Sequence, residues 1–430
     1  MSDQSIKFRN QVIYCLSVRS YTPDGTFFAL ENELENIRAL GVDIIELLPI
    51  HPVGDSLKKG RLGSLFAVKD TRATDPRLGS IEDFKRLVDE IHKHKMLCVM
   101  NMVLEQTSID SQTAQNHPEW FYQKKGKIYS RSLDRQDVAD LDFNNKDLWS
   151  YQIDIVKYWA GIVDGFNCSS SSLIPLAFWE QAREEVNGIK SEFIWLADTL
   201  EPEVIAHYRN VGHYAASDAE LFRVFDICLD SDTIRPVDAY LRGDIPLSAL
   251  TYSYEWQEAM YPKEHCKLRF LEMPYRRRIR SVITNNATLR SWTAFNYLLK
   301  GAALIQAWQE YALADMPALT EPYMPFGVNH DLSGFMRKLY KIKKNPLIAN
   351  GAFYIQPDDK SDIATYRYIY EHKWLEGSFS LKGKSGIADT FVPNGDYLNL
   401  LDYTVISVKH GKYGVDENPV LFCSDYRSVE

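Results

Sequence analysis

Residues 78–103 read Leu78-Gly-Ser-Ile-Glu-Asp-Phe-Lys-Arg-Leu-Val-Asp-Glu-Ile-His-Lys-His-Lys-Met-Leu-Cys-Val-Met-Asn-Met-Val103. Ser80 is placed to cap a helix, because its hydroxyl can accept from the unpaired backbone amides of a first turn. Phe84, Leu87, Val88 and Ile91 then recur at helical spacing and form one buried face. The run Met96–Val103 is almost wholly apolar, as expected of a strand covered on both sides in a parallel sheet. One amphipathic helix feeding one buried strand is the repeating piece of an α/β fold.

The same piece recurs outward in both directions. Val12–Val18, Val42–Pro49, Met96–Val103, Val163–Cys168, Glu192–Ala197, Val224–Leu229, Leu268–Glu272 and Ala302–Gln306 make eight candidate strands. Between the first two, Leu30, Leu34, Ile37 and Leu40 form a helical stripe that Gly41 closes. Strand–helix alternation over about 300 residues points to a (β/α)₈ barrel. The connection from Leu104 to Leu148 is unusually long, polar and turn-rich, and reads as a short loop domain after strand three. Beyond Leu347, the runs Ile363–Tyr370, Tyr397–Leu401 and Val420–Cys423 are short and separated by Gly, Asn and Asp. They predict an antiparallel β-sandwich. The expected division is therefore a barrel over 1–345, containing the 104–148 loop domain, and a sandwich over 346–430.

Composition narrows the function classes. The 430 residues are 45% hydrophobic and 25% charged, with a net charge of −9. That balance argues against a nucleic-acid partner, which favours a basic face. The six cysteines form no CxxC pair and sit mostly in apolar runs, so buried reduced thiols are expected, with no disulfide framework. Met1 to Asn10 is polar without an apolar core, and no apolar run approaches membrane-spanning length. A cytoplasmic protein without a membrane partner is expected. Aromatic residues make up 13% of the chain. They suit either core packing or the faces of sugars.

The blocks Leu62-Gly-Ser-Leu-Phe-Ala-Val-Lys-Asp-Thr-Arg-Ala-Thr-Asp-Pro76 and Leu78-Gly-Ser-Ile-Glu-Asp-Phe84 resemble the "GSPYAVxDYxxxxPxxGTxxDF" pattern of the α-amylase family of glycoside hydrolases. Leu40-Gly-Val-Asp-Ile-Ile-Glu-Leu-Leu-Pro-Ile50 is similar to that family's second strand, and Phe391-Val-Pro-Asn-Gly-Asp-Tyr-Leu-Asn-Leu-Leu401 to its terminal β-sandwich. The resemblance runs from about Val12 to Phe422. It implies carbohydrate metabolism and a retaining mechanism. In that mechanism one carboxylate attacks the anomeric carbon and a nearby carboxylic acid protonates the leaving oxygen.

The positions that the resemblance makes catalytic have changed. The family's fourth-strand "DGFRxD" is here Asp164-Gly-Phe-Asn-Cys-Ser169, with Asn167 at the arginine and Ser169 at the nucleophile. A serine nucleophile needs a base, and no histidine lies near in sequence. On the fifth strand "WLAE" is Trp195-Leu-Ala-Asp198, which keeps a carboxylate one methylene shorter. On the seventh, "RFLENHD" is Arg269-Phe-Leu-Glu-Met-Pro-Tyr275, so Tyr275 stands at the stabilising aspartate. On the third, "DxVxNHTS" is Asn101-Met-Val-Leu-Glu-Gln-Thr-Ser108. This places Glu105 where the family's structural calcium often takes an asparagine, and Gln106 at the histidine. After the eighth strand "YNGQE" becomes Gln306-Ala-Trp-Gln-Glu310, and Trp308 at the glycine should crowd any cleft.

The expectation is thus a catalytically degenerate member with no intact catalytic set, no metal and no cofactor. Phe66, Gln106, Asn167, Asp198 and Arg276 remain as candidate substrate-binding residues. Phe66 stands where the family stacks a tyrosine on sugar. Tyr275-Arg-Arg-Arg-Ile-Arg280 concentrates guanidinium groups suited to an anion such as a sugar phosphate. Three functions follow: a protein that binds an oligosaccharide or sugar derivative or regulates; an enzyme of altered mechanism using Asp198 with Glu272 or Glu105; and a structural partner of an active homologue.

Overall fold

The computed structural model describes residues 5–132, 135–315, 318–322 and 327–424. Residues 133–134, inside the expected loop domain, and 425–430, at the end of the expected sandwich, lie outside the described residues. So does the very start of the chain. Eight parallel strands form a closed ring in the order β1-β8-β7-β6-β5-β4-β3-β2. They are β1 (Val12–Leu16), β2 (Ile44–Leu47), β3 (Leu97–Met102), β4 (Gly165–Cys168), β5 (Ile194–Ala197), β6 (Ile227–Leu229), β7 (Lys267–Arg269) and β8 (Ala302–Gln306). All eight strands expected from the sequence are present. The seventh ends at Arg269 and not at Glu272, because the backbone turns so that Glu272 can meet Arg278 six residues on.

The helix capped by Ser80 runs over Ile81–Lys93, with Phe84, Leu87, Val88 and Ile91 buried. Ser80 caps it, and Asp83 returns a bond to the Ser80 backbone, so two otherwise unpaired amides are satisfied together. Ser80→Ala is expected to cost about 1 kcal/mol, seen as a lower urea midpoint with unchanged slope. The Leu30–Leu40 stripe is buried as expected, but it is carried by two short helices, Phe27–Glu31 and Leu34–Ala39. Gly41 follows at φ +90°, a conformation open to glycine without steric cost.

Contacts divide the chain into two compact units. One holds Ile13–Leu229, with β1 to β6 and the 104–148 segment. In that segment Gln106–Ser108 pairs antiparallel with Val138–Asp140, and Gln123–Lys124 with Lys127–Ile128. Register is set by close packing in this unit. A Cβ on Gly165 would stand 2.6 Å from Ile194 Cβ, so only glycine lets β4 and β5 approach this way. Behind the strands, Trp179, Trp195 and Phe225 pack edge to face. Trp159, Trp179 and Trp195 are fully buried, so much of the aromatic content serves the core.

The other unit holds Asp230–Asp315 and Gly327–Glu430. A four-stranded antiparallel sheet follows the barrel: β9 (Ala352–Asp358), β10 (Ile363–Tyr370), β11 (Lys373–Ser380) and β12 (Val420–Cys423). Two further two-stranded antiparallel sheets share a core with it, in which Phe422 contacts Tyr397 and Tyr413. Two buried cations stand out in this unit. Arg269 bonds Asp230 and Gln257 at 2.7 Å each. Lys343, wholly buried, donates to the carbonyls of Leu299 (3.1 Å) and Gly301 (2.7 Å).

All six cysteines are buried, and none is in a disulfide. No helix among the described residues is long and apolar enough to cross a membrane.

Candidate functional site

Parallel register places the decisive side chains level with one another. Cys15 lies beside Glu46, Glu46 beside Val99, and Asn101 beside Asn167. Level residues in a parallel sheet share a face, and side chains alternate along each strand. Cys15, Glu46, Asn101 and Asn167 therefore point to one side. Ser169 and Asp198, each one residue beyond its strand, continue on that side.

The result is a buried polar set with little formal charge. Ser169 is 3% exposed, and its hydroxyl donates to Asn101 Oδ1 at 2.9 Å. The amide of Asn167 donates to Glu46 Oε1 at 2.5 Å. The position assigned to the nucleophile, its guanidinium neighbour and the aspartate of strand three have thus become serine and two asparagines. Serine and both asparagines are tied into hydrogen bonds that need no ionised group.

Two carboxyl groups here hold their protons unusually well. Burial pushes Glu46 up to about 7, opposed by the Asn167 bond and aided by the charge of Asp198. Burial pushes Glu105 up to about 8. Its own backbone amide and Arg135 act against this, while Asp140 and Asp198 add to it. Glu105 Oε2 and Asn167 Oδ1 are buried without a hydrogen-bond partner. The thiols of Cys15 and Cys168 are also raised, first by burial and then by these carboxylates. Glu46 was not singled out from the sequence. Its signal was a lone acid inside the apolar run Ile44-Ile-Glu-Leu47.

The remaining candidates fall as follows. Phe66 and Asp198 are partly exposed. Gln106 is buried and spent at both ends, donating to Phe66 O at 2.9 Å and accepting from Arg135 at 3.2 Å. In the second unit Tyr275 is 56% exposed. Arg276 and Arg277 both bond Asp238, at 2.6 and 2.9 Å. Glu272 is fully buried, accepting from Arg278 (2.6 Å) and from the Ile279 amide (3.0 Å). Trp308 adopts φ +73°, the left-handed backbone that explains a glycine in the related pattern and that costs a bulky residue about 1 kcal/mol or more. Among the described residues no group of three His, Cys, Asp or Glu is arranged to hold a metal.

Comparison with known proteins adds the following. Residues 354–422 match the family model described as Bacterial Alpha amylase C-terminal domain. The solved structure of an α-amylase from Lactobacillus plantarum is 34% identical, with TM-score 0.94, over 98% of this chain and 100% of that one. A noncanonic maltogenic α-amylase from Thermotoga neapolitana is 26% identical, with TM-score 0.86, over 98% and 99%. Among curated proteins, an α-1,4-glucan:maltose-1-phosphate maltosyltransferase of Streptomyces coelicolor is 28% identical over 45% of this chain and 32% of its own length. The enzyme of that name from Pseudomonas aeruginosa is 30% identical over 44% and 32%. The chain thus aligns with about a third of the length of these curated relatives.

Proposed function

The chain belongs to the α-amylase family of glycoside hydrolases, and from that premise we propose that it binds an oligosaccharide without cleaving it. The observation that carries this reading is Ser169 at the nucleophile position. Its hydroxyl is buried, committed to Asn101, and accompanied by Asn167 where the family has arginine. A retaining cleavage needs a carboxylate there, and loss of one member of a catalytic unit removes nearly all of its advantage. Phe66 offers a partly exposed ring and Asp198 a partly exposed carboxylate, which suit stacking against and bonding to a sugar.

The test is direct. Purified protein incubated with maltooligosaccharides and p-nitrophenyl α-maltoside is expected to release product at the uncatalysed rate. Calorimetry with millimolar maltooligosaccharide is expected to show saturable heat that Phe66→Ala removes. Absence of any binding heat would sink the proposal.

A second reading has its own observation. Glu105 keeps its proton to about pH 8 while the Asp198 charge helps hold it there. A carboxyl group kept protonated near neutral pH is suited to act as a general acid. Turnover that survives Ser169→Ala and disappears in Asp198→Asn would favour an enzyme of altered mechanism.

A further inference from the structure

The Arg276–Arg280 run is not absorbed by the site above, and two of its arginines lie on a feature of their own. Arg276 and Arg277 line a small pocket between the helix Ile234–Arg242 and the segment after β7. Val237, Leu241, Phe270 and Leu271 line it as well, all apolar and all half-buried. The charged residues of the lining are these two arginines and Asp238.

The charges do not balance. Arg276 gives one Nη2 contact to Asp238 Oδ2, and Arg277 one to Asp238 Oδ1. One carboxylate therefore serves two guanidinium groups and leaves one positive charge over. Each guanidinium carries five N–H donors in a planar fork, and a single nitrogen of each faces Asp238. The neighbouring arginines are engaged elsewhere: Arg278 is held by Glu272, and Arg280 by Thr284 and Asn286. An ion pair built only for stability has no need of a second cation or of an apolar hollow beside it.

We infer that this pocket binds a compact oxyanion, a phosphate or carboxylate group, carried on an apolar stem. The oxyanion takes the unused donors of Arg276 and Arg277, and the stem covers Val237, Leu241 and Phe270. Forked donors favour such planar or tetrahedral oxyanions over simple halides.

Isothermal titration at constant ionic strength tests this with three probes: inorganic phosphate, phenyl phosphate and benzoate. Binding at one site per chain is expected, with phenyl phosphate at least about fivefold tighter than inorganic phosphate because its ring buries apolar area. Benzoate against phenyl phosphate distinguishes a carboxylate ligand from a phosphate one. Arg277→Gln, at an exposed position, is expected to weaken binding about fivefold or more while leaving the thermal midpoint unchanged. Asp238→Asn removes the competing carboxylate and is expected to tighten binding. Linear heats with all three probes, an unchanged constant in Arg277→Gln, or weaker binding in Asp238→Asn would each overturn the assignment.

Discussion

Ser169→Asp, which restores the carboxylate expected of a nucleophile, should lower stability by about 3 kcal/mol and return no hydrolytic activity. The position is 3% exposed, so the new charge enters a site without solvent. Its present partner is Asn101 Oδ1, an acceptor that faces a hydroxyl and would oppose a carboxylate. The side chain at 167 cannot compensate as an arginine would, because it is an amide already given to Glu46. Glu105 and Asp198 act electrostatically on the adjacent Cys168, so a carboxylate at 169 would enter a region already holding two acidic groups. Breaking the balance of a buried polar set typically costs several kcal/mol, whichever charge is left unpaired. The double variant Ser169→Asp with Asn167→Arg should be more stable than the sum of the two single changes, since a guanidinium and a carboxylate two residues apart can pair. Urea unfolding of the four proteins checks this. A single variant as stable as the parent would mean that the neutral network is no constraint, and any hydrolysis by it would remove the main support for a binding role.

The reason that part of this site is visible in the sequence is local. Ser169 and Asp198 directly follow short apolar runs, and strand alternation fixes the face they take. The eight strands are visible for the same reason: each is a compact apolar run, and the helices between them have clear stripes. What sequence hides is partnership over distance. Asp238 lies 38 residues before Arg276, and Glu46 lies 121 before Asn167. Nothing in either local pattern joins them. The pairs Gln106–Ser108 and Val138–Asp140 are too short for a period of two to register, and their strands are 30 residues apart. The reading of 268–272 as strand failed at its end because Glu272 is apolar-run punctuation in sequence but an arginine's partner in space.

Lys343→Met is expected to change the pH dependence of folding substantially. Lys343 closes the helix Ser333–Lys343, and sequence gives no sign that it is buried. Its ammonium donates to the carbonyls of Leu299 and Gly301, and to no carboxylate among the described residues. Burial lowers it from its ordinary value to about 7; Cys266 acts in the opposite direction, and Arg269 and Lys344 lower it further. The sign follows from proton counting. Above pH 7 the folded lysine is neutral, while the unfolded one stays charged to about 10.4. Unfolding then takes up a proton, so a rise in pH favours the folded state until the unfolded lysine also titrates. Below pH 7 both states are charged and this contribution is flat, with the full cost of burying the cation present. Glu46 and Glu105 act in the other direction. Their folded forms hold protons above the usual carboxylate range, so their contribution falls as pH rises through 7 and 8. A raw stability curve mixes these effects, whereas the difference between parent and Lys343→Met cancels the carboxyl terms. That difference should favour methionine most at pH 6 and shrink by about 2–3 kcal/mol between pH 7 and pH 9, from a slope of roughly 1.4 kcal/mol per unit. Guanidinium unfolding at half-unit steps measures it. A difference that stays level across that range would show that Lys343 remains charged in the folded protein, held by its two carbonyls alone.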